Sequence, residues 1–278
     1  MSIISRDAVA SLMEEAAEKL ILPRFQKLKA DDISTKSSAT DYVTIADQEA
    51  EEWLTPRLGK LVDCPVIGEE AVASNPALRD LAGEGMVWTV DPVDGTANFV
   101  EGNDRFCVMI SLAENGVPLQ SWIWMPLQRE LYYAAAGERA HLLTAGISSS
   151  LRAVATTRDL ASILGGGSAK GLVDPLKSVI QKRLRAMPNH RSIGCAGVQG
   201  ALLASGKDEF MAHGRCTPWD HAPVDLLCRE AGCHAGMVGD GSAYHTANHG
   251  PFMVAANKAI WDYLADNLWA DCRGDLLK

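Results

Sequence analysis

The chain has 278 residues, of which 47% are hydrophobic, and its formal net charge is −9 with a pI near 5.3. A chain of this length can bury a substantial core, as one large unit or as two joined lobes. The net acidity argues against nucleic acid or an anionic membrane as the main partner. The sequence has neither an apolar run of about 20 residues nor a secretory signal. Its seven cysteines include no CxxC pair, so we expect free thiols and a cytoplasmic protein.

The hydrophobic pattern predicts helices first and then a series of strands. Apolar residues at intervals of three and four indicate helices over about Arg6–Leu28 and Thr44–Leu61. Short apolar or alternating runs predict the following strands: Val87–Val90, Cys107–Ala113, Leu119–Met125, Glu130–Ala135 and His141–Thr144. Asn115-Gly116 is typical of a two-residue hairpin turn between two of them. We therefore expect residues 1–147 to form an α+β half with an antiparallel sheet.

After Ser148-Ser149-Ser150 the pattern changes to an alternation of strands and helices. The predicted strands are Leu151–Thr156, Glu209–Ala212 and Phe252–Ala256. The predicted helices are Pro175–Leu184, Val198–Leu203, Trp219–Ala231 and Ala259–Trp269. The glycine-rich Gly165–Gly171 lacks the spacing of a phosphate-binding P-loop, so we interpret it as a flexible strand-to-helix connection. The alternation predicts that residues 148–278 form an α/β half, and that both halves make one compact unit.

The segment Asp91–Thr96 (DPVDGT) carries the strongest chemical signal in the sequence. Pro92 has no N–H, so we expect the preceding strand to stop there. From Asp94 onward the segment is typical of a turn into a short helix, with Asp94 at an N-cap-like position. Such a turn offers the N–H groups of Gly95 and Thr96 to a phosphate oxygen. Acidic side chains beside an anion site require a cation, and Mg²⁺ takes oxygen ligands of this kind. The alternative is an ordinary Asp-Gly turn.

Three other segments supply further carboxylates. Glu69 and Glu70 end the short apolar run 66–68, Asp47 lies near the start of a predicted helix, and Asp220 lies in the first turn of another. Each of them alone is explained by the usual exposure of acids or by the charge of a helix N-terminus. As a set they would suit hard cations, whereas soft cysteine or histidine ligands would favour zinc. Without metal these acids would repel one another, and at least one pKa should rise.

Together these motifs resemble the signature segments of the inositol monophosphatase family, which are Mg²⁺-dependent, lithium-sensitive phosphomonoesterases. The resemblance runs in order from Lys36-Ser37-Ser38, through Asp41 and Asp47, to residues 254–257, and so covers almost the whole chain. The combination of the DPVDGT segment with the distant Trp219-Asp220 is specific. It implies a layered α-β-α-β-α sandwich of the inositol monophosphatase and fructose-1,6-bisphosphatase type, a homodimer, and a metal site where the two halves meet.

The resemblance also implies roles for individual residues. The implied metal ligands are Glu69, Asp91, the main-chain carbonyl of Val93, Asp94 and Asp220. They would hold two to three Mg²⁺ ions, with Asp91 bridging two of them. Asp47 and Thr96 would be the catalytic residues, because they resemble the pair that positions the attacking water. The implied contacts to the substrate are Val93, Asp94, Gly95, Thr96, Ala196, His213 and Asp220.

The sequence departs from the family pattern at one position that bears on the substrate. Members that prefer inositol phosphate usually carry an acid seven positions before the Trp-Asp aspartate, where this chain has His213. A carboxylate only accepts hydrogen bonds, while a neutral imidazole donates one and accepts one. We therefore expect inositol 1-phosphate to be a poor substrate of this chain. If the loop shifts by one or two residues, His213 faces solvent instead.

Several alternatives remain for the function itself. The preferred small phosphomonoester would be histidinol phosphate or another amino-alcohol phosphate, a sugar bisphosphate, or a nucleotide 3′-phosphate. An alternative of a different class is a protein-interaction module in which catalysis is weak or lost. Since every position needed for metal binding and water activation holds a competent residue, the sequence favours an active phosphoric monoester hydrolase.

Overall fold

The computed structural model describes residues 4–36, 42–155, 159–270 and 273. The strands are β1 (Ile33–Thr35), β2 (Tyr42–Thr44), β3 (Val66–Gly68), β4 (Met86–Asp94), β5 (Cys107–Glu114), β6 (Val117–Met125), β7 (Glu130–Ala135), β8 (Ala140–Thr144), β9 (Ile147–Ser150), β10 (Leu164–Ser168), β11 (Asn189–Arg191), β12 (Phe210–His213), β13 (His234–Met237) and β14 (Phe252–Ala255). The α-helices are α1 (Arg6–Ala16), α2 (Ile45–Leu61), α3 (Glu69–Ser74), α4 (Thr96–Val100), α5 (Leu176–Ala186), α6 (Ala196–Ala204), α7 (Pro218–Glu230) and α8 (Lys258–Asn267). Within these ranges, none of the helices has the length and apolar character that a membrane span requires.

The strands form two large sheets and a small ribbon. The seven-stranded sheet has the order β3-β4-β5-β6-β7-β8-β9, and only β3 and β4 run parallel in it. Asn115 and Gly116 connect β5 to β6 with φ angles of 47° and 78°, the positive values of a tight hairpin turn. The five-stranded sheet has the order β11-β10-β12-β14-β13, with β10 parallel to both of its neighbours. The ribbon pairs β1 with β2.

Alternating side chains along the strands produce the layers. On β5, Val108 and Ile110 pack in a core with α1 and α2, whereas Cys107 and Met109 face the opposite core. That second core contains α6, α7 and one face of the five-stranded sheet. The other face of this sheet packs on α5 and α8. The order is helix, sheet, helix, sheet and helix, which confirms the predicted α-β-α-β-α sandwich with its α+β and α/β character.

The strand that carries the motif does not stop at Pro92, so this prediction is wrong. β4 continues to Asp94, and its register against β5 shifts between Asp91 and Asp94. An irregularity of this kind accommodates a proline, which cannot donate to the ladder. The N-cap of α4 is also not Asp94 but Gly95, which has a φ of 90°. The turn therefore lies one residue later than the sequence pattern predicts.

The first helix is shorter and less regular than predicted. α1 ends at Ala16, a π-helical turn follows over Ala17–Ile21, and a 3-10 turn over Leu22–Arg24 ends before Leu28. Pro23 contributes to this ending, because it has no N–H with which to continue the α-helical ladder.

The predicted strand Leu151–Thr156 is not formed over the part of it that the structure describes. Residues 151–155 form no strand, and Thr156 lies outside the described residues. The preceding serines Ser148–Ser150 belong to β9, which pairs with β8 in the seven-stranded sheet. The Leu151 N–H donates to the carbonyl oxygen of Ala140, directly after the paired residues of β8 and β9. The extended segment is therefore β9, and it ends before residue 151.

The glycine-rich segment Gly165–Gly171 is not a flexible connection throughout. Most of it forms β10, which lies between β11 and β12. The glycines are needed for this close approach, since a Cβ on Gly166 would lie 2.1 Å from the carbonyl oxygen of Arg191 on β11. Their small size makes the segment look like a loop in the sequence, whereas the tertiary contacts make it a strand.

Candidate metal centre

Three carboxylates from separate elements meet beside the carboxyl end of β4. Because β3 runs parallel to β4 with Gly68 opposite Val90, Glu69 and Asp91 follow this last pair side by side, Glu69 at the start of α3 and Asp91 still within β4. Asp220 comes from the first turn of α7. One carboxylate oxygen from each of the three acids lies within 4.8 Å of the others. The fold thus brings together three predicted metal ligands that lie far apart in the chain.

The electrostatics of this cluster show that it requires a neutralising partner. Asp91 is 1% exposed, and burial together with the charges of Glu69, Asp94 and Asp220 raises its pKa well above the ordinary value. Burial and the charge of Asp220 raise the pKa of Asp94 to about 7. Carboxylates so close together are unfavourable unless protons or a cation compensate them. The donors are hard oxygens, so the set fits Mg²⁺ better than a soft metal.

Asp94 is held in place by the beginning of α6. Its Oδ2 accepts a hydrogen bond from the Gly197 N–H at 2.6 Å, and Cys195 Sγ lies 3.0 Å from the same oxygen. Cys107 Sγ lies 3.7 Å from this oxygen and 3.6 Å from Cys195 Sγ. Burial raises the pKa of Cys107 to about 12 and that of Cys195 well above its ordinary value, so both remain thiols. Sequence reasoning assigned no role to either cysteine.

The predicted catalytic residues Asp47 and Thr96 are in contact. Thr96 Oγ1 lies 3.1 Å from Asp47 Oδ1 and 3.1 Å from the carbonyl oxygen of Val93. The other oxygen of Asp47 accepts hydrogen bonds from the Thr44 N–H at 2.9 Å and from the Thr44 hydroxyl at 2.5 Å. Burial raises the pKa of Asp47 to about 6, although the bonds from Thr44 oppose this. The result is a fixed carboxylate that can take up a proton near neutral pH.

Charged residues without a predicted role support Glu69. Lys36 Nζ lies 2.8 Å from Glu69 and 2.6 Å from Glu70; although burial lowers the pKa of Lys36, these two charges raise it above its ordinary value. Glu51 accepts hydrogen bonds from the N–H groups of Glu70 and Ala71 at 2.8 and 2.7 Å, and so holds the first turn of α3. Lys36 could be found from the sequence, because the family resemblance begins there, whereas Glu51 belongs to none of the recognised motifs. Other residues of the resemblance lie outside the described part of the chain: Ser37, Ser38 and Asp41.

The carboxylates face a cleft of about 290 Å³. Its lining contains these predicted substrate contacts: Asp94, Gly95, Thr96, Ala196, His213 and Asp220. Val93, in contrast, is fully buried, and its carbonyl oxygen lies near Thr96 Oγ1. The cleft is therefore bounded by residues from both predicted halves of the chain.

His213 lies in the wall of this cleft at the end of a directed chain of hydrogen bonds. His221 Nδ1 lies 3.1 Å from the Thr217 backbone nitrogen and 3.2 Å from the Thr217 carbonyl oxygen. Because the backbone N–H can only donate, we assign Nδ1 as its acceptor and place the proton of neutral His221 on Nε2. His221 Nε2 donates to His213 Nδ1 at 2.9 Å, which leaves the His213 proton on Nε2, 3.1 Å from Gln199 Oε1. Burial lowers the pKa of both imidazoles to about 3, and this keeps them neutral. Sequence reasoning did not identify Gln199.

Comparison with known proteins identifies the family. The inositol monophosphatase family model matches residues 5–270. The chain belongs to the inositol monophosphatase family. It is 30% identical to the Nus factor SuhB of Escherichia coli (strain K12) over 268 residues, which cover 94% of this chain and 94% of that protein. It is 27% identical to the fructose-1,6-bisphosphatase/inositol-1-monophosphatase of Thermotoga maritima over 235 residues, or 84% and 85% of the two chains.

A solved structure shows the same fold. The IMPase of Thermotoga maritima superposes with a TM-score of 0.78 at 22% identity, covering 94% of this chain and 95% of that chain. The resemblance inferred from the DPVDGT segment and Trp219-Asp220 is confirmed by the family match. Membership supports a phosphatase with a metal-dependent site and a small phosphorylated substrate.

Proposed function

We propose that the chain is a Mg²⁺-dependent phosphomonoesterase that hydrolyses a small phosphorylated alcohol by attack of an activated water. The observation that carries this proposal is the cluster of Glu69, Asp91 and Asp220 in the same cleft as the pair Asp47 and Thr96. The residues that would hold two to three ions are Glu69, Asp91, the carbonyl of Val93, Asp94 and Asp220.

The chemistry requires both the ions and the chain. Phosphate monoesters hydrolyse very slowly in water, so the required reduction of the barrier is large. When bound, Mg²⁺ supplies positive charge that lowers the pKa of water and neutralises charge on the phosphate and the leaving oxygen. The contribution of the chain is to orient the water and to accept its proton. Asp47 is suited to this step, because a pKa of about 6 leaves it ionised but basic at neutral pH.

The phosphate group would bind at the turn before α4. Gly95 has a φ of 90°, and a Cβ there would lie 2.7 Å from the carbonyl oxygen of Arg105, so the turn requires glycine. Phe99 donates its N–H to the Gly95 carbonyl, and the N–H groups of Gly95 and Thr96 precede this first bond of the helix. They have no acceptor within α4 and can therefore donate to phosphate oxygens.

Phosphate release from purified protein tests the proposal. With Mg²⁺ and a panel that includes p-nitrophenyl phosphate, we expect turnover that disappears in excess chelator and returns when Mg²⁺ is restored. Turnover that persists in excess chelator contradicts metal dependence. Because one relative is named a Nus factor, a protein-interaction role is the alternative. Failure to hydrolyse every panel member in Mg²⁺ would favour that role.

We also propose that inositol 1-phosphate is a poor substrate. His213 uses one ring nitrogen to accept from His221 and the other to donate to Gln199. Neither nitrogen is left to accept a hydrogen bond from a ring hydroxyl, as a carboxylate at this position would. Steady-state comparison across the panel tests this, and the highest kcat/KM for inositol 1-phosphate would contradict it.

Three further properties expected from the resemblance belong to the same proposal: lithium sensitivity, a homodimer and a cytoplasmic location. Lithium titration at fixed Mg²⁺ concentration tests the first, and the sedimentation velocity of the purified protein tests the second. The location in the cell is tested by fractionation. None of these three results affects the assignment of the hydrolytic chemistry.

A further inference from the structure

Two cations enter the cleft at the carboxyl ends of neighbouring parallel strands. β10 and β12 run parallel with Ser168 opposite His213, and the Gly214 N–H extends this pairing to the Ser168 carbonyl at 2.7 Å. Lys170 and Arg215 each follow two residues after the last paired position. Both line the cleft that contains the carboxylates. The carboxyl ends of parallel strands are a usual position for ligand-binding groups.

The side chain of Arg215 rests on the turn that follows Lys170. Gly171 has a φ of 90°, and a Cβ on it would lie 2.5 to 2.8 Å from Cβ, Cδ and Cγ of Arg215. The absence of a side chain at Gly171 therefore makes room for the arginine. The charge of Arg215 adds to the larger effect of burial in lowering the pKa of His213 and of His221. The charge of its guanidinium is therefore felt at the part of the cleft wall that contains the two imidazoles.

Gln199 adds an amide donor to the same wall. It is 4% exposed, and its Oε1 must be the atom facing His213, because the chain of hydrogen bonds places the His213 proton on Nε2. Its Nε2 is consequently the remaining polar atom, and it has no hydrogen-bond partner among the residues that the structure describes. This nitrogen is not among the fully buried side-chain atoms that lack a partner in the described part of the chain, so it is accessible from the cleft that Gln199 lines. A ligand in the cleft can accept a hydrogen bond from it.

We propose that Gln199, Lys170 and Arg215 form a second anion subsite, and that the preferred substrate carries a second anionic group apart from the scissile phosphate. This inference rests on the proposed phosphatase function. The wall presents two positive charges and an amide donor, so it matches a second phosphate or a carboxylate. Among the substrates considered from the sequence, bisphosphates fit this wall. Histidinol phosphate does not, since its amine is cationic.

Matched pairs of substrates test the subsite on the unaltered protein with Mg²⁺. Fructose 1,6-bisphosphate is compared with fructose 1-phosphate, and adenosine 3′,5′-bisphosphate with adenosine 3′-phosphate. 2-Phosphoglycerate is compared with glycerol 2-phosphate, and this pair tests a carboxylate as the second anionic group. We expect kcat/KM of the doubly anionic member to exceed that of its partner by about tenfold in at least one pair. Equal values in all three pairs, or a preference for histidinol phosphate, overturn the proposal.

Variants then assign the preference to this wall. Arg215→Gln and Gln199→Glu should each lower the ratio of the paired kcat/KM values by about tenfold, the latter because it places an acceptor where a donor stood. Arg185→Gln, an exposed arginine on α5, makes the same change of charge as a control and should leave the ratio unchanged. The proposal is also overturned if Arg215→Gln and Gln199→Glu both fold and both keep the ratio of paired kcat/KM values of the unaltered protein.

The outcomes separate the subsite from the phosphatase function. Hydrolysis of monophosphates without any preference contradicts the subsite alone. Failure to release phosphate from every substrate, including p-nitrophenyl phosphate, contradicts both. The comparison of matched pairs needs no variant, so it decides the proposal even if one of the substitutions prevents folding.

Discussion

Thr96 Oγ1 lies 3.1 Å from Asp47 Oδ1, and this contact joins α4 to the first turn of α2 across 49 positions of the chain. Asp47 also completes a capping box, since its other oxygen accepts from the N–H and the hydroxyl of Thr44. One carboxylate therefore fixes the start of a helix with one oxygen and faces the site with the other. The capping bonds limit how far Asp47 can move when it accepts a proton.

Replacement of Thr96 by alanine should impair turnover more than substrate binding. The hydroxyl orients the attacking water with Asp47, so we expect kcat to fall by about 100-fold while KM changes little. Steady-state kinetics of Thr96→Ala measures this. Thr144→Ala, an exposed threonine on β8, serves as the control and should behave as the original protein. An unchanged kcat with a raised KM would contradict the role of Thr96.

Asp94→Asn should preserve the fold but reduce turnover by orders of magnitude. The amide can still accept the Gly197 N–H, but a charged metal ligand is lost. The measurement is kcat at saturating Mg²⁺, together with Tm to show that the variant is folded. Asp63→Asn, an exposed aspartate, makes the same chemical change away from the cleft. Similar activity of the two variants is the result that excludes Asp94 as a ligand.

The two thiols near Asp94 should differ in their effect on the pH profile. Cys195 Sγ lies 3.0 Å from Asp94 Oδ2 and favours the charged carboxylate, whereas Cys107 Sγ lies 3.7 Å away. Loss of the closer donor raises the pKa of Asp94 further, so at subsaturating Mg²⁺ the acid limb of the kcat/KM profile should move to higher pH in Cys195→Ala. Cys107→Ala is the matched variant and should move it less. Identical profiles for both variants would count against this donor role.

Gly68 should tolerate no side chain, because a Cβ there would lie 2.1 Å from Cδ of Glu51. Gly68→Ala would displace a buried carboxylate that accepts from the Glu70 and Ala71 N–H groups, at a cost of about 1–3 kcal/mol in the free energy of unfolding. Gly59→Ala in α2 meets nothing within 4 Å and should instead stabilise the protein by about 0.5–1 kcal/mol. Denaturant unfolding of both variants tests the contrast, and equal effects would argue against the clash.

Buried acids should make the metal-free protein less stable as pH rises. Burial raises the pKa of Asp47 to about 6, those of Glu51 and Asp94 to about 7, and that of Glu70 to about 8. A carboxyl with a raised pKa binds its proton more tightly in the folded state, so stability is lost between about pH 4, the ordinary value, and about pH 8.

Thermal unfolding in chelator and in Mg²⁺ tests this pH dependence. In chelator, Tm should fall from pH 5 to pH 8. The rise of Tm caused by Mg²⁺ should be larger at pH 8 than at pH 5, because protons no longer compete for the carboxylates. If Tm in chelator stays constant or increases over this range, the acids are not clustered as the structure has them.

Local patterns account for the part of the fold that the sequence predicts. The hairpin at Asn115-Gly116 and the beginning of α2 after Thr44 depend on neighbouring residues, so spacing and residue type are sufficient to find them. The strand through Pro92 and the strand containing Gly166 differ from the sequence prediction for a shared reason. In each case contacts with adjacent strands override the local preference of proline or glycine.

The family and the acids can be identified from the sequence alone, because the DPVDGT segment and Trp219-Asp220 are short motifs whose chemistry is visible in consecutive residues. The groups that surround these acids depend on the tertiary structure. The contact of Asp94 with Cys195 joins positions 101 residues apart, and that of Glu51 with Glu70 joins α2 to α3. Such contacts depend on strand register and helix packing, which bring distant residues together without leaving a periodic signal in the chain.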